Sequence, residues 1–319
     1  MYKDTNNKQI LQFFVIYSFQ ITNLLCIFAP YFTPTRMKVI HTQNELRAYL
    51  EAPRAQQKKI ALVPTMGALH EGHLSLIQQA RAKADIIICS IFVNPTQFND
   101  PKDLEKYPRP IENDIKLLSD NGCDVLFLPT VEEMYPDTNE QWHLDLGRLD
   151  LIWEGEQRPG HFQGVTQIVY KLFTLVNPDI ACFGQKDLQQ VMVIQRMIEL
   201  KNLDIELVIC PIIRSESGLA LSSRNARLSA EGKEKALILY KTLQAVKSAF
   251  AEGKPLSVCQ QLAEKMIADK EGVELEYFAL SEVRTLERAE STEEGKQYVA
   301  HIVAWIEGVR LIDNMFLND

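Results

Sequence analysis

Residues 59–81, KIALVPTMGALHEGHLSLIQQAR, form the most informative segment of the chain, because an apolar strand passes there through a tight turn into a helix. The apolar run from Ile60 to Val63 ends at Pro64, which predicts a strand over 59–63. After the turn, apolar residues recur at helical spacing, at Leu74, Ile77 and Ala80. Unpaired backbone N–H groups and the positive end of the helix dipole meet at such a turn. The segment therefore predicts a phosphate-binding site.

Two histidines stand at the start of this helix. His70 and His73 are three residues apart, so they share one face of the first turn, and Gly72 lets a ligand approach the backbone. Imidazoles in this position can donate hydrogen bonds to phosphate oxygens. A zinc-protease motif needs its second histidine four residues after the first, but position 74 is Leu, which excludes that class. A pair of purely structural histidines is the alternative.

The composition is that of an ordinary globular chain. Its 319 residues are 46% hydrophobic and 24% charged, which allows one large domain or two modest ones. The net charge of −8 argues against a surface that coats nucleic acid. Six scattered cysteines form no Cys-x-x-Cys pair. They predict buried thiols in a reducing compartment, so the protein is expected in the cytoplasm.

The first 36 residues differ from the rest of the chain. Residues 10–32 are strongly apolar and match the length of a membrane span, although Gln12 and Gln20 interrupt them. Lysines precede this segment as in a signal peptide, but no small-x-small cleavage site follows. A third interpretation is an over-extended gene model with its natural start at Met37. We favour it because a capping box at Thr42 and Glu45 opens a self-sufficient domain directly afterwards.

Strands and helices alternate from Met37 to about residue 212, which predicts an α/β domain with a parallel sheet. The polar segment 99–110 is expected to be a surface loop, and 155–165 is too rich in Gly and Pro for a regular element. Residues 213–319 predict a smaller α+β domain. Strands are expected over 86–93, 123–128, 179–183, 205–213, 275–280, 297–305 and 310–312, and helices over 111–120, 166–176, 188–200, 229–250 and 255–268.

Two amide residues follow the strand over 86–93. Asn94 and Gln97 are expected at the carboxyl edge of the sheet, where open parallel sheets bind ligands, beside His70 and His73. Their side chains can hydrogen-bond the hydroxyl and carboxylate groups of a small substrate. A plain turn is the alternative.

Three cations occupy positions that suit anionic ligands. Lys186 lies in a tight turn between a strand and a helix, where its charge suits the phosphates of ATP. Arg224 follows Ser222 and Ser223, so two hydroxyls and a guanidinium can converge on anionic oxygens. Arg158 precedes a helix and can pair with a carboxylate or phosphate, the alternative being a surface salt bridge.

These motifs, in this order, resemble those of the pantothenate synthetase (pantoate–β-alanine ligase) family, within the His-x-Gly-His nucleotidyltransferase group. The resemblance covers residues 37–319 and is carried by HEGH at 70–73, NPTQ at 94–97, RPGHF at 158–162, GQKD at 184–187 and LSSR at 221–224. It implies a Rossmann-like ATP- and pantoate-binding domain over 37–212 and a C-terminal lid domain over 213–319. It also implies the condensation of (R)-pantoate with β-alanine, in which ATP gives AMP and pyrophosphate through a pantoyl adenylate.

The resemblance further implies a role for each motif. The catalytic set is His70, His73, Lys186 and Arg224. The ATP-binding set is Pro64, Thr65, Met66, Gly67, His70, His73, Gly184, Lys186, Asp187, Leu221, Ser222, Ser223 and Arg224. The pantoate-binding set is Asn94, Gln97, Arg158 and Gln190, with His161 as a weaker candidate. Asp114 matches an acidic residue beside the Mg²⁺ that accompanies ATP, and a homodimer is expected.

Two other functions stay open at this point. One is an adenylyltransferase for a different small substrate, which would not need the amide motif at 94–97 and the turn at 184–190 together. The other is a non-catalytic nucleotide-binding module tethered to a membrane by residues 10–32. That module would bind ATP without turning it over.

Overall fold

The computed structural model describes residues 37–137 and 139–318. The apolar segment 10–32, and with it the choice among its three interpretations, lies outside the described residues. Within the described part, no helix is both long and apolar enough to cross a membrane.

A parallel sheet of six strands forms the larger part of the molecule, in the order β1-β4-β3-β2-β5-β6. The central strands are buried on both faces, as the unbroken apolar run from Ile60 to Val63 predicts. This confirms the predicted α/β architecture. The strands are β1 (Lys38–Ile40), β2 (Ile60–Thr65), β3 (Ile86–Ile91), β4 (Val125–Phe127), β5 (Ile180–Gly184) and β6 (Glu206–Cys210).

The helices between these strands differ from the prediction at two places. The expected loop over 99–110 contains a helix, because the Asp100 side chain caps it by accepting from the N–H of Lys102 and Pro101 suits the first helical position. The segment 155–165 is also more regular than expected. The helices are α1 (Gln43–Ala55), α2 (Glu71–Arg81), α3 (Pro101–Lys106), α4 (Ile111–Asp120), α5 (Val131–Met134), α6 (Glu154–Gln157), α7 (His161–Val176) and α8 (Leu188–Lys201).

The start of α7 corrects the prediction that its helix begins at Thr166. Gly160 takes a left-handed conformation (φ 80°) that turns the chain, and the helix begins directly after it. Gly164 belongs to the helix because its lack of a side chain lets α7 approach other backbone: a Cβ there would lie 2.6 Å from the carbonyl carbon of Thr96. This glycine therefore serves packing and does not break the helix.

The C-terminal part confirms the predicted smaller α+β unit. Its strands β7 (Glu274–Glu282), β8 (Tyr298–Ile306) and β9 (Val309–Phe316) form an antiparallel sheet in chain order. Helices α9 (Ala230–Ala251) and α10 (Leu256–Ala268) share an apolar core with this sheet, in which Ile302 is fully buried. The domain boundary at residue 212 stays a prediction.

The strand order places the candidate site. Strands β3 and β4 lie on one side of β2, whereas β5 and β6 lie on the other, so the order reverses between β2 and β5. Ligands of open α/β sheets bind at the carboxyl ends of the strands at such a reversal. The chain leaves β2 at Thr65 and β5 at Gly184. The turns that carry the two histidines and Lys186 therefore start from adjacent strands.

Candidate active site

The turn between β2 and α2 is held by a buried carboxylate. Asp114 is 0% exposed, and its two oxygens accept the backbone N–H groups of Ala68 and Leu69, each at 2.9 Å. Ala68 takes a positive φ of 51°, and a Cβ on Gly67 would lie 3.0 Å from Asp114 Oδ2. Asp114 therefore supports this turn, and its place beside Mg²⁺ stays a prediction.

The same turn presents residues 64–67 at the end of β2. Pro64, Thr65 and Met66 are half-buried, whereas Gly67 is buried. The Thr65 hydroxyl donates to the carbonyl oxygen of Ser90 at 2.8 Å and accepts the N–H of Gly67 at 3.2 Å. This segment is therefore fixed to the neighbouring strand β3.

Both histidines use the same ring nitrogen to cap α2. His70 Nδ1 accepts the N–H of Gly72 at 3.1 Å, and His73 Nδ1 accepts the N–H of His70 at 3.3 Å. In a neutral imidazole whose Nδ1 accepts, the proton lies on Nε2. Each ring therefore has an Nε2–H group left to donate to a ligand.

The surroundings keep both imidazoles neutral. Burial, and after it the neighbouring His70, lowers the pKa of His73 to about 4. Burial and then the charge of Lys186 lower the pKa of His70. Neutral rings donate through Nε2 without adding a positive charge. The turns that carry His70 and Lys186 follow the adjacent parallel strands β2 and β5. The structure thus brings together the histidine turn and the lysine turn, as the sequence predicts.

A small pocket lies between Lys186 and the serine–arginine loop. Ser222 and Arg224 line it together with Lys186, so one hydroxyl and two cationic residues border one space. The Ser222 hydroxyl accepts the N–H of Arg224 at 3.2 Å, which shapes the loop. Arg310 of β9 also lines the pocket, but its guanidinium pairs with the carboxylates of Glu154 and Glu276, at 2.6 and 2.8 Å, so its charge is balanced within the protein. Lys186 and Arg224, with the Ser222 hydroxyl, suit an anionic group such as a phosphate at the mouth of this pocket.

The remaining residues predicted to bind ATP lie at the edges of this pocket's two loops. Gly184 ends β5 and Asp187 is exposed in the turn after it. Ser223 begins a short 3₁₀ helix that ends at Arg227. Leu221 is half-buried, and its N–H donates to the carbonyl oxygen of Ile213 at 2.9 Å.

Gln97 lies beside the histidine turn, as predicted. It is 7% exposed, and its Nε2 lies 3.1 Å from the sulfur of Met66. Its Oε1 accepts from the Asn94 amide at 3.1 Å. The amide motif therefore packs directly against residue 66 of the turn that follows β2.

Asn94 supports this arrangement from within the protein. It is 1% exposed, and its Nδ2 also donates to the carbonyl oxygen of Gly164 at 3.1 Å. Its Oδ1 accepts from the Tyr135 hydroxyl at 2.8 Å and from the Thr96 hydroxyl at 3.1 Å. These contacts use its donors and its acceptor, so Asn94 supports Gln97 in this structure, and its contact with pantoate stays a prediction. The local sequence gives no signal for Tyr135.

His161 links Arg158 to Gln97. The imidazole is 6% exposed, its Nδ1 donates to the carbonyl oxygen of Gln97 at 2.8 Å, and its Nε2 lies 3.2 Å from Arg158 Nη1. Burial lowers the pKa of His161 to about 4, with the neighbouring guanidinium acting in the same direction. The neutral ring accepts from Arg158 and so holds this cation beside the amide motif.

Gln190 is half-buried in the first turn of α8. Its neighbour Gln189 is buried, and the Gln189 amide donates to the carbonyl oxygens of Leu149 and Ile152, both at 2.8 Å. Gln189 is therefore occupied within the protein. Of the two glutamines, Gln190 is the one placed to meet a ligand.

Known proteins of one family match nearly the whole described part of the chain. The family model of pantoate-beta-alanine ligase matches residues 38–316. A pantothenate synthetase of Bacteroides thetaiotaomicron is 49% identical over 281 residues, which cover 88% of this chain and 98% of that protein. The crystal structure of a pantothenate synthetase from Thermus thermophilus is 38% identical with a TM-score of 0.82, over 89% of this chain and 100% of that one.

A structure with ligands adds to this comparison. The pantoate-beta-alanine ligase of Francisella tularensis, complexed with beta-gamma ATP and beta-alanine, is 33% identical to this chain. Its TM-score is 0.71, and the match covers 88% of this chain and 98% of that one.

Proposed function

This chain belongs to the pantoate-β-alanine ligase family, and from that premise we propose how its site joins pantoate to β-alanine with ATP. The carboxylate of pantoate attacks the α-phosphorus of ATP, and pyrophosphate leaves. The amine of β-alanine then attacks the acyl carbon of the pantoyl adenylate, loses a proton, and AMP leaves. The products are pantothenate, AMP and pyrophosphate.

The pocket that Lys186 shares with Ser222 and Arg224 is the observation that supports the proposal. Negative charge builds up on the phosphates as pyrophosphate leaves, and fixed cations stabilise it. The Nε2–H groups of His70 and His73 donate to phosphate oxygens in the same step. Because their pKa values are lowered, both rings stay neutral donors at pH 7.

Pantoate is expected to lie against the amide motif. Gln97 and Gln190 would hold its hydroxyl and carboxylate groups for in-line attack. Arg158 is held beside Gln97 by His161 and can pair with the carboxylate. Asn94 contributes by fixing Gln97.

Magnesium is proposed to enter with the phosphates of ATP. Among residues 37–137 and 139–318, no group of three or more His, Cys, Asp or Glu side chains could hold a metal ion. Mg²⁺ commonly binds one or two carboxylates together with substrate phosphates. Asp187 is exposed at the lysine turn and could share the ion, which would neutralise phosphate charge. Asp114 is buried and already accepts two backbone N–H groups.

The compartment and the assembly state are also proposals. The five cysteines within residues 37–318 are free and buried, which fits a reducing compartment such as the cytoplasm. The homodimer rests on the family resemblance.

Release of AMP tests the proposed function. The full chain is incubated with ATP, Mg²⁺ and pantoate, with and without β-alanine. Rapid AMP release that requires both pantoate and β-alanine is expected. ATP binding with no turnover under any condition would contradict the ligase and favour the non-catalytic module.

A further inference from the structure

Strand β9 carries two adjacent buried polar residues that reach both phosphate-binding loops. Asp313 is 5% exposed and Asn314 is 3% exposed, in a strand whose other inward positions are mostly apolar. Successive residues of a strand point to opposite faces. The two side chains therefore contact different elements from one point of the strand.

Asn314 closes the turn that carries Lys186. Its Nδ2 donates to the carbonyl oxygens of Gln185 and Lys186, at 2.9 and 3.1 Å. Its Oδ1 accepts from the Gln185 amide at 3.1 Å. Both hydrogens of the Asn314 amide and its oxygen are thus used on one turn. The backbone position of Lys186 depends on a side chain of the C-terminal sheet.

Asp313 binds Arg214, which lies in the segment that leads into the serine–arginine loop. Its two oxygens accept parallel hydrogen bonds from the guanidinium of Arg214, at 2.6 and 2.9 Å. Arg214 also donates to the carbonyl oxygen of Gly218 at 3.2 Å and stacks over the ring of Tyr240, 4.2 Å from its centroid. The two parallel hydrogen bonds to Asp313 and the stacking on Tyr240 leave the guanidinium of Arg214 little freedom to move.

Backbone hydrogen bonds join the two ends of the segment from Arg214 to Ala220. Arg214 and Ala220 form an antiparallel bridge, and the N–H of Leu221 donates to Ile213 at 2.9 Å. The segment that leads into Ser222 is therefore held to β9 through the contact between Arg214 and Asp313.

We propose that Asp313 and Asn314 are positioning residues for the adenylation step. They hold the lysine turn and the serine–arginine loop to one strand, so that Lys186 and Arg224 keep a fixed spacing across the pocket. This inference rests on the proposed function of that pocket. Fixed spacing matters because a misplacement of about 1 Å in a site can lower the rate about 100-fold.

Three variants of the full chain test the proposal. Asn314→Ala removes the hydrogen bonds to Gln185 and Lys186. Arg214→Lys keeps a positive charge beside Asp313 but loses the paired hydrogen bonds and the stacking on Tyr240. Asn318→Ala is the matched control. The Asn318 amide donates to the carbonyl oxygen of Lys296 at 2.8 Å and accepts the N–H of Tyr298 at 2.7 Å, so its loss removes comparable bonds from the same sheet.

Two measurements are made on each variant. Calorimetry gives the Kd for ATP without turnover, and pantoate-dependent exchange of labelled pyrophosphate into ATP gives the kcat of adenylation and the KM for pantoate. In Asn314→Ala and Arg214→Lys we expect ATP binding about 10-fold weaker and exchange about 10-fold to 100-fold slower, with the KM for pantoate within about two-fold of wild type. Asn318→Ala is expected to stay within about two-fold throughout.

A purely structural role predicts a different pattern. All three variants would then unfold at lower temperature, but the folded protein would keep its ATP affinity and its exchange rate, and that result would overturn the proposal. If Asn314→Ala does not fold, Arg214→Lys decides by the same criteria. A wild-type chain that binds ATP but shows no exchange would defeat the proposed function alone, because the calorimetric comparison still decides the positioning role.

Discussion

Replacing Asp114 with Asn removes the carboxylate that holds the histidine turn. Each of its oxygens accepts one backbone N–H at 2.9 Å, from Ala68 and from Leu69. An amide keeps one acceptor but points its N–H₂ group at the second backbone donor. Hydrogen bonds to charged groups contribute about 1.5–3 kcal/mol each, and a buried donor without a partner costs about 1–3 kcal/mol. We therefore expect Asp114→Asn to lower the free energy of unfolding by about 3 kcal/mol.

Thermal unfolding of the full chain without ATP or Mg²⁺ measures this effect. A loss of this size lowers the midpoint by about 6–12 °C for a domain of roughly 150–250 residues. Glu112→Gln is the matched control, because it makes the same chemical change on an exposed side chain in the first turn of the same helix, and it should shift the midpoint by less than about 2 °C. If Asp114 served only as a metal ligand, loss of its buried charge would leave the metal-free midpoint unchanged or raise it. That outcome would refute the reasoning.

The other predictions concern the histidines and the close approach of α7. His73→Ala removes a donor to the phosphates, so pantoate-dependent pyrophosphate exchange should slow by about 100-fold to 1,000-fold, and a near-normal rate would remove His73 from the mechanism. Burial lowers the pKa of His73 and of His161 to about 4, whereas unfolded histidine has a pKa of about 6.5. The free energy of unfolding is therefore highest above pH 6.5 and falls as the pH drops toward 4, by up to about 1.4 kcal/mol per pH unit for each histidine. Urea unfolding at several pH values measures this fall, and a free energy of unfolding that does not change with pH would contradict it. In Gly164→Ala the new Cβ would lie 2.8 Å from the backbone nitrogen of Gln97, so the KM for pantoate should rise about 10-fold with the Kd for ATP unchanged, and equal loss of both would count against a separate pantoate site.

Local pattern was sufficient for the parallel sheet and for the histidine turn. The run from Ile60 to Val63 is apolar without alternation, and the structure buries all of it because helices cover both faces of the sheet. The spacing of His70 and His73 fixes their shared face for the same local reason. These features depend on residues within one or two turns of each other.

Tertiary contacts explain where the sequence interpretation departs from the structure. Gly164 in isolation predicts a break in the helix, but it lies in a helix because the backbone of Thr96 packs against it. Asn94 has the side chain of a ligand-binding residue, but Tyr135, far along the chain, occupies its oxygen. Asn314 fixes the turn of Lys186 through contacts that no local spacing encodes. Whether a polar side chain such as that of Asn94 already has all its hydrogen-bond partners is known only once the chain has folded. Residue type alone therefore could not distinguish a supporting residue from one that contacts a ligand.

Transfer of oxygen from pantoate to AMP tests the central claim most directly. Pantoate labelled with ¹⁸O in its carboxylate is converted by the full chain with ATP, Mg²⁺ and β-alanine, and the AMP is analysed by mass spectrometry. Attack of the carboxylate on the α-phosphorus, followed by cleavage of the acyl–oxygen bond, predicts AMP that carries one labelled oxygen. Unlabelled AMP alongside newly formed pantothenate would contradict a pantoyl adenylate.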